Sequence, residues 1–392
     1  MILLAALALL QPGIDPVFLT LLSSANGVDP VDHGWIVGAA QIGMALGSLC
    51  VWLAGSRLPR HALTLAAVSA LAASLVTARL GGLGALVLVR GGFGLAMGMI
   101  YTHAVSSAAA RRPSGAYGAV FLVQLLLSTA AALLLPLVAA ASGPALALCA
   151  LAVVPLAATG MTLLPGNAAV DRAAESYGRD LSDRPVASVT TPPATPPAAW
   201  ALAIATFCFV ATSMMVWSFA GAMATHAGID EGSIGWAVAV GSVAGAITAL
   251  AVMREETLVP LPVTGILCGL CLLSPVLLTP GGDENLFTLS VILLNIGSTA
   301  IIIRCSGLAS AASDDPLFRR FVACTHGLGG IAGPLIGSLV SLAMGMEHLG
   351  GGAMVMMAGG CLALFYAAAK DREGALLPAM REEPERRSEV AA

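Results

Sequence analysis

Twelve long apolar stretches constrain this chain more than any other feature of its sequence. Each is close to the roughly 20 mainly apolar residues that a helix needs to cross the hydrocarbon core of a bilayer. Only 10% of the 392 residues are charged, against about 25% in soluble domains, so there is too little polar surface to solvate a fold of this size. We therefore predict an all-α integral membrane protein. The stretches lie at 1–22, 34–54, 61–78, 82–108, 116–140, 144–164, 199–226, 233–253, 258–279, 286–312, 319–345 and 350–369.

The positive charges predict how these helices are oriented. Cytoplasmic loops of membrane proteins are enriched in Lys and Arg. If the amino terminus lies inside, all but three of the 18 Lys and Arg residues fall in inner segments. The exceptions are Arg79 in an outer loop and Arg90 and Arg304 inside helices. We therefore expect both termini in the cytoplasm, in a multi-pass protein of the inner (plasma) membrane.

A short polar turn occurs twice, with nearly the same letters. NGVDPVDHGW at 26–35 and AGIDEGSIGW at 227–236 align Gly27 with Gly228, and each is followed by an apolar stretch. A second echo, SAAARRP against SAASDDP, has almost the same offset. With both termini inside, six helices per half predict parallel repeats related by an axis along the membrane normal.

The repeat and one polar, Pro-rich segment define the expected domains. The segment contains SVTTPPATPPAAW, which is typical of a disordered linker. We predict a six-helix bundle at 1–164, a disordered cytoplasmic linker at 165–198, a second six-helix bundle at 199–369 and a cytoplasmic tail at 370–392.

The chain resembles the major facilitator superfamily (MFS) of secondary transporters over all twelve stretches and the linker. In the fourth stretch, Arg90, Gly94 and Gly98 reproduce the family's Arg-x-x-x-Gly-x-x-x-Gly spacing. The eleventh carries GLGGIAGPLIG, with Gly333 and Pro334 in a bending pattern that the family's antiporters usually place in their fifth helix. The loop motif Asp-Arg-x-Gly-Arg lacks its acid here and is SRLPR. The resemblance implies alternating access of two pseudo-symmetric bundles, and it leaves uptake and export both open.

Two charges inside helices point to proton coupling. Asp15 lies in the first stretch between Pro12 and Pro16, and Arg90 lies in the fourth. A charge at the bilayer centre costs about 2.5–3.5 kcal/mol on insertion scales, so such residues face a cavity or a partner. Family members often use an acid in helix 1 with an Arg in helix 4 to carry a proton, and these residues occupy the matching helices. The alternatives are a permanent structural ion pair or an Asp15 close to the outer surface.

A third intramembrane charge, Arg304, is the basis for predicting the substrate. The repeat places it opposite Tyr101, with His103 opposite Ser306. A guanidinium binds carboxylate or phosphate in a two-point manner, which predicts an organic anion. The alternative is an Arg that extends to the cytoplasmic interface. Further candidate substrate contacts are Gln11, Gln124, Asn295, Trp217 and His326.

One pair of aligned charges is of opposite sign. The repeat aligns Arg111 and Arg112 with Asp314 and Asp315, all expected on the cytoplasmic face. We hypothesise a salt-bridged gate of the outward-open state. The alternative is two solvated loops, whose ion pairs contribute little.

Taken together, the sequence predicts a secondary active transporter of a small organic solute, best an organic anion, coupled to protons. The alternative is a proton-coupled exporter of drugs or other amphipathic compounds, and a non-transporting membrane sensor ranks below both. Three scattered charges do not supply the converging groups of a membrane enzyme. Cys268 and Cys271 lie in an apolar run without a second pair or a nearby His. We therefore expect no metal, cofactor or nucleic acid, and a monomer whose partners are the solute, protons and the lipid bilayer.

Overall fold

A computed structural model describes residues 1–28, 32–54, 58, 61–110, 112–164, 195–229, 231–253, 259–313 and 315–371. Across these ranges the chain is almost entirely helical and contains no β strand, which confirms the predicted all-α class. The helices are α1 Ile2–Ala8, α2 Leu10–Asn26, α3 His33–Ala54, α4 His61–Thr77, α5 Leu83–Ala109, α6 Pro113–Ser142, α7 Pro144–Ala150, α8 Val153–Leu163, α9 Pro197–His226, α10 Glu231–Val252, α11 Leu261–Leu278, α12 Glu284–Ala311, α13 Pro316–Met344 and α14 Leu349–Asp371. Within the part described, ten helical segments are long and apolar enough to cross a membrane.

Two of the predicted stretches are broken rather than continuous. The first divides into α1 and α2 at Leu9, and the sixth divides into α7 and α8 at 151–152. A proline lies three residues after each break, and a proline lacks the N–H that would bond to the carbonyl four residues earlier. Pro12 withdraws this bond from Ala8, and Pro155 withdraws it from Leu151. The broken helices pack together, α1 against α8 and α2 against α7.

The chain divides into two compact units. The first unit contains Met1–Ser107 and the described residues from Ala130 to Leu164. Within this unit, α4 packs against α8. The second contains Ala108–Thr129 and the described residues from Thr195 onwards, and α9 packs in it against α12, α13 and α14. Helix α6 thus contributes to both units. The predicted domain boundaries stay a prediction, and most of the linker and the tail, 165–194 and 372–392, lie outside the described residues.

The repeated turn has the same backbone feature in both copies. Gly27 ends α2 with φ +67°, and Gly228 follows α9 with φ +83°. This left-handed conformation is strained for residues with a Cβ, which explains why both copies have Gly at this position. The tryptophans that follow, Trp35 and Trp236, lie near the starts of α3 and α10 with 70% and 64% of their surface exposed. The sequence repeat therefore corresponds to a structural repeat.

The small residues of α5 allow close contact with α3. A Cβ added at Gly94 would overlap the carbonyl oxygen of Ala40, and one added at Gly98 would overlap that of Met44. Because both contacts are with backbone, no side-chain movement relieves them. The family-like spacing that begins at Arg90 therefore fixes the packing of α5, as small residues do between membrane helices.

A pair of substitutions in α5 tests this packing. Gly98→Ala is expected to force α3 and α5 apart and to destabilise the protein by about 1–3 kcal/mol or more. Gly92→Ala is the matched control, because nothing lies within 4 Å of an added Cβ there and Ala favours helix over Gly by about 1 kcal/mol. Thermal unfolding in detergent should show a lower Tm for Gly98→Ala and an equal or higher Tm for Gly92→Ala. Equal Tm values for the two variants would contradict the close contact.

Candidate functional site

Asp15 lies on α2, six residues after the break at Leu9 in the first predicted stretch. Its side chain is partly buried, and its Oδ1 accepts a hydrogen bond from Gln11 Nε2 at 3.2 Å. The two residues are four apart on one helix and therefore lie on the same face. Gln11, predicted as a substrate contact, is thus the observed partner of the predicted coupling acid.

Arg90 lies on α5 with 2% of its surface exposed. Its guanidinium carbon is 4.6 Å from the centroid of the Phe18 ring and 4.3 Å from that of Phe93. Both distances are within the range of cation–π attraction, which strengthens when the cation is removed from water. Phe18 follows Asp15 by one turn on α2, and Phe93 follows Arg90 by one turn on α5. Each charged residue therefore brings one of the two rings.

Asp15 and Arg90 make no direct ion pair in this structure. Arg90 and Asp15 interact electrostatically, yet among the described residues no ion pair within 4.0 Å and no hydrogen bond joins them. Arg90 Nε is buried without a hydrogen-bond partner. A permanent structural ion pair, the first alternative for these residues, is therefore not what the structure contains.

A small cavity lies beside the guanidinium in the first unit. It is large enough for roughly one water molecule. Its lining mixes polar and apolar side chains: Gln11, Phe18, Ser74, Thr77, Arg90, Leu148 and Leu151. These residues come from α2, α4, α5 and the end of α7, so the cavity adjoins the helix break that follows Leu151. The guanidinium of Arg90 is thus buried beside this cavity, and no described side chain neutralises its charge by direct contact.

Arg304 lies on α12, and its guanidinium is hydrogen-bonded within the second unit. It donates a hydrogen bond from Nη1 to Thr264 Oγ1 and another from Nη2 to the carbonyl oxygen of Val259 at 2.9 Å. Both acceptors lie at the start of α11, and the bond to Val259 is exposed. This geometry favours the alternative, an Arg that extends to the end of its helix bundle. Its role in binding substrate stays a prediction.

His326 belongs to a buried cluster in the second unit. Its Nε2 lies 2.9 Å from Ser306 Oγ, and its ring stacks on Tyr117 with centroids 5.4 Å apart and planes 21° apart. Ser310 Oγ donates to Tyr117 Oη at 3.4 Å. The cluster joins the first part of α6 to α12 and α13. His326 is thus a packed, hydrogen-bonded residue, and its predicted contact with substrate is untested.

The other candidate substrate residues are mostly engaged within their own units. Gln124 Nε2 donates to Ser128 Oγ at 2.9 Å, and Asn295 Nδ2 donates to the carbonyl oxygen of Val291 at 2.9 Å; both bonds are buried. Trp217 packs against the buried cluster of Ala224, Ile229, Ala237, Phe287 and Val291. Tyr101 is fully buried on α5, and His103 is half-buried two residues further on.

The bending pattern of the eleventh stretch acts in helix packing. A Cβ at Gly333 would overlap the carbonyl oxygen of Ala211, so the glycine lets α13 approach α9. Pro334 lies inside α13, which continues past it to Met344. A gating role for Gly333 and Pro334 stays a prediction.

Half of the predicted charge gate lies outside the described residues, namely Arg111 and Asp314. Of the other two residues, Asp315 caps α13, accepting at Oδ1 from the backbone N–H of Leu317 at 2.9 Å. Arg112 is exposed, and no ion pair within 4.0 Å joins these two described side chains. The structure therefore gives Asp315 a local role that the sequence repeat did not indicate.

Substitution of Asp315 separates capping from charge pairing. Loss of an N-cap typically costs about 1 kcal/mol, so Asp315→Ala is expected to lower the Tm by a few degrees. Asp315→Asn keeps a capping oxygen and removes the charge, so it should retain the wild-type Tm and transport. If Asp315→Asn behaved like Asp315→Ala, the carboxylate charge would be the important property and a salt-bridged gate would be favoured.

Several residues of these sites were not predicted from the sequence. Phe18 and Phe93 contact Arg90, while Tyr117 and Ser310 belong to the cluster around His326. For the two phenylalanines a signal existed, since each lies three residues after a charged residue inside an apolar stretch. For the other two, no local signal distinguishes them from ordinary membrane-helix residues.

These features define a multi-pass helical membrane protein whose first unit contains Asp15 on α2 and a buried Arg90 on α5. No protein family matches the sequence, and no curated protein does. Solved structures match over nearly the whole chain. The human organic anion transporter MFSD10 has a TM-score of 0.68 and 15% identity, covering 93% of this chain and 96% of that one. The proton:xylose symporter XylE, solved with 6-bromo-6-deoxy-D-glucose, has a TM-score of 0.67 and 13% identity, covering 93% and 94%.

The second of these structures is described as a major facilitator superfamily protein. This chain has the same fold, as the resemblance in the sequence implied.

Proposed function

We propose that this chain is a secondary active transporter that moves a small organic solute by alternating access of its two bundles, coupled to protons at Asp15. The observation that carries the proposal is the state of this acid. It lies on α2 in the first predicted membrane stretch, accepts a hydrogen bond from Gln11 and makes no direct ion pair with Arg90. An acid in such a position can be charged in one state and neutral in another without breaking a salt bridge.

An organic anion is the proposed substrate class. When Asp15 takes up a proton, Arg90 loses the negative charge that compensates it across space. A solute with a carboxylate or a phosphate supplies a replacement charge, so that proton and anion bind in support of each other. One transporter with the same fold, human MFSD10, is described as an organic anion transporter, which adds support from outside the sequence. We place the protein in the inner (plasma) membrane as a monomer with cytoplasmic termini.

Purified protein in liposomes tests the function directly. With an imposed pH gradient, internal pH is followed while a panel of organic acids, neutral sugars and amphipathic cations is added in turn. Alkalinisation or acidification that requires both the protein and an organic acid is the expected result. A response to amphipathic cations alone would favour the exporter instead. Labelled solute that moves without any proton would limit the protein to uniport or exchange.

A further inference from the structure

We propose that Phe18 and Phe93 are positioning residues that hold the Arg90 guanidinium by its faces and keep it out of direct contact with Asp15, so that the acid stays available to a proton. The inference deepens the proposed function, since it concerns how the coupling acid is regulated. It assigns a role to two apolar residues that have no polar chemistry of their own.

The contacts around Arg90 are the first step. Its guanidinium lies 4.6 and 4.3 Å from the two ring centroids, and the side chain makes no hydrogen bond or ion pair with any described residue. A guanidinium has five N–H donors and a strong preference for a bidentate carboxylate. Asp15 interacts electrostatically with Arg90 but makes no direct pair with it, which is consistent with a restraint on the arginine. The two rings are the groups in contact with it.

The positions of the rings give the second step. Phe18 and Phe93 are 3% and 4% exposed, so both rings are packed on nearly all sides. One ring belongs to the helix of the acid and the other to the helix of the arginine. The two rings of Phe18 and Phe93, which we call the cage, therefore keep their contacts with the guanidinium only while both helices keep their relative position. A shift of α2 against α5 would open the cage and let the guanidinium reach the carboxylate.

The surroundings of the pair contain few other charges. Besides Arg90, the described residues that line the adjacent cavity from α2, α4 and α7 are Gln11, Phe18, Ser74, Thr77, Leu148 and Leu151, and none of these six titrates. Helix α3 meets α5 through the glycine contacts at Ala40 and Met44. The proton affinity of Asp15 therefore depends on its burial, on the hydrogen bond from Gln11 and on the charge of Arg90.

The test measures protonation of Asp15 directly rather than through transport. N,N′-dicyclohexylcarbodiimide reacts with protonated carboxyl groups in apolar surroundings, and mass spectrometry of the peptide containing Asp15 gives its rate of labelling at each pH. In Phe18→Leu/Phe93→Leu the freed guanidinium should pair with the acid. Since an opposite charge within about 4–6 Å shifts proton binding by about one to three pH units, labelling at a fixed pH where the acid is partly ionised should slow about tenfold or more. The single variants Phe18→Leu and Phe93→Leu should show intermediate labelling rates. They replace the double variant in this test if the double variant does not fold.

Two controls make the result specific. Phe287→Leu removes an equally buried ring from α12 in the other unit, and it should leave the labelling rate unchanged. In an Arg90→Met background the Phe-to-Leu changes should have no effect, because no guanidinium is left to restrain. Unchanged labelling in the double variant, equal slowing in Phe287→Leu, or a wild-type Asp15 that is never labelled would each overturn the proposal. Failure of solute-driven proton movement with normal labelling shifts would reject the proposed function and keep the cage.

Discussion

Asp15→Asn is expected to abolish solute-driven proton movement in liposomes while leaving the protein folded. The side-chain amide is nearly isosteric with the carboxylate, and its oxygen can still accept the hydrogen bond that Gln11 donates. The change removes the group that binds the proton, so the proton signal should fall to the level of empty liposomes. Exchange of labelled solute across the membrane at equal concentrations should continue, because exchange needs no net proton transfer.

The control for this variant is a carboxylate outside the membrane helices. Asp283 caps α12 by accepting from the N–H groups of Asn285 and Leu286, and an asparagine there also caps. Asp283→Asn should therefore keep wild-type proton movement and Tm. Full proton movement in Asp15→Asn would show that another group carries the proton, and loss of exchange as well would show that Asp15 is needed for the conformational change itself.

The second large effect is expected at Arg90 and not at Arg304. Arg90→Met removes a buried charge that has no hydrogen-bond acceptor to leave unsatisfied, and Asp15 can avoid an uncompensated charge by binding a proton. We expect an unchanged or higher Tm and a loss of solute-driven proton movement of at least about tenfold, equivalent to about 1.4 kcal/mol. Initial rates at several solute concentrations, measured beside the wild type, give this number.

Arg304→Met is the matched comparison. It deletes two hydrogen bonds to the start of α11, which should cost about 1 kcal/mol of stability and leave the transport rate close to that of the wild type. The opposite pattern would support the role that the sequence predicted for Arg304. In that case, Arg304→Met would raise the solute concentration for half-maximal transport, and Arg90→Met would not.

The sequence predicted the helices and the repeat, but it does not specify which way the side chains point. Membrane helices are recognised by length and apolarity, and Gly27 and Gly228 mark the same turn in both halves. The face that a residue occupies is another matter, because lipid and protein interior are both apolar and the buried face carries no compositional mark. For Arg304, nothing in the sequence indicated the bonds to Thr264 and Val259 that the structure contains.

The candidate site shows the same limit at the level of single contacts. Asp15 and Arg90 were identified because charges are rare in membrane stretches and must have a partner or a cavity. Whether the two pair directly depends on distances of a few ångströms between different helices, which no spacing within the sequence specifies. The restraint by Phe18 and Phe93 became visible only with the ring positions.

The helix breaks at Leu9 and at 151–152 affect how the helices of the first unit can move. At both places the regular helical ladder is already interrupted, and the turn after α7 is closed by shorter-range bonds, including Ala152 N–H to the carbonyl oxygen of Cys149. Helices α2 and α7 pack together on one side of the breaks, and α1 and α8 on the other. We therefore expect that α2 and α7 can change their tilt together relative to α1 and α8 without unwinding an intact helical turn, and Asp15 would move with α2.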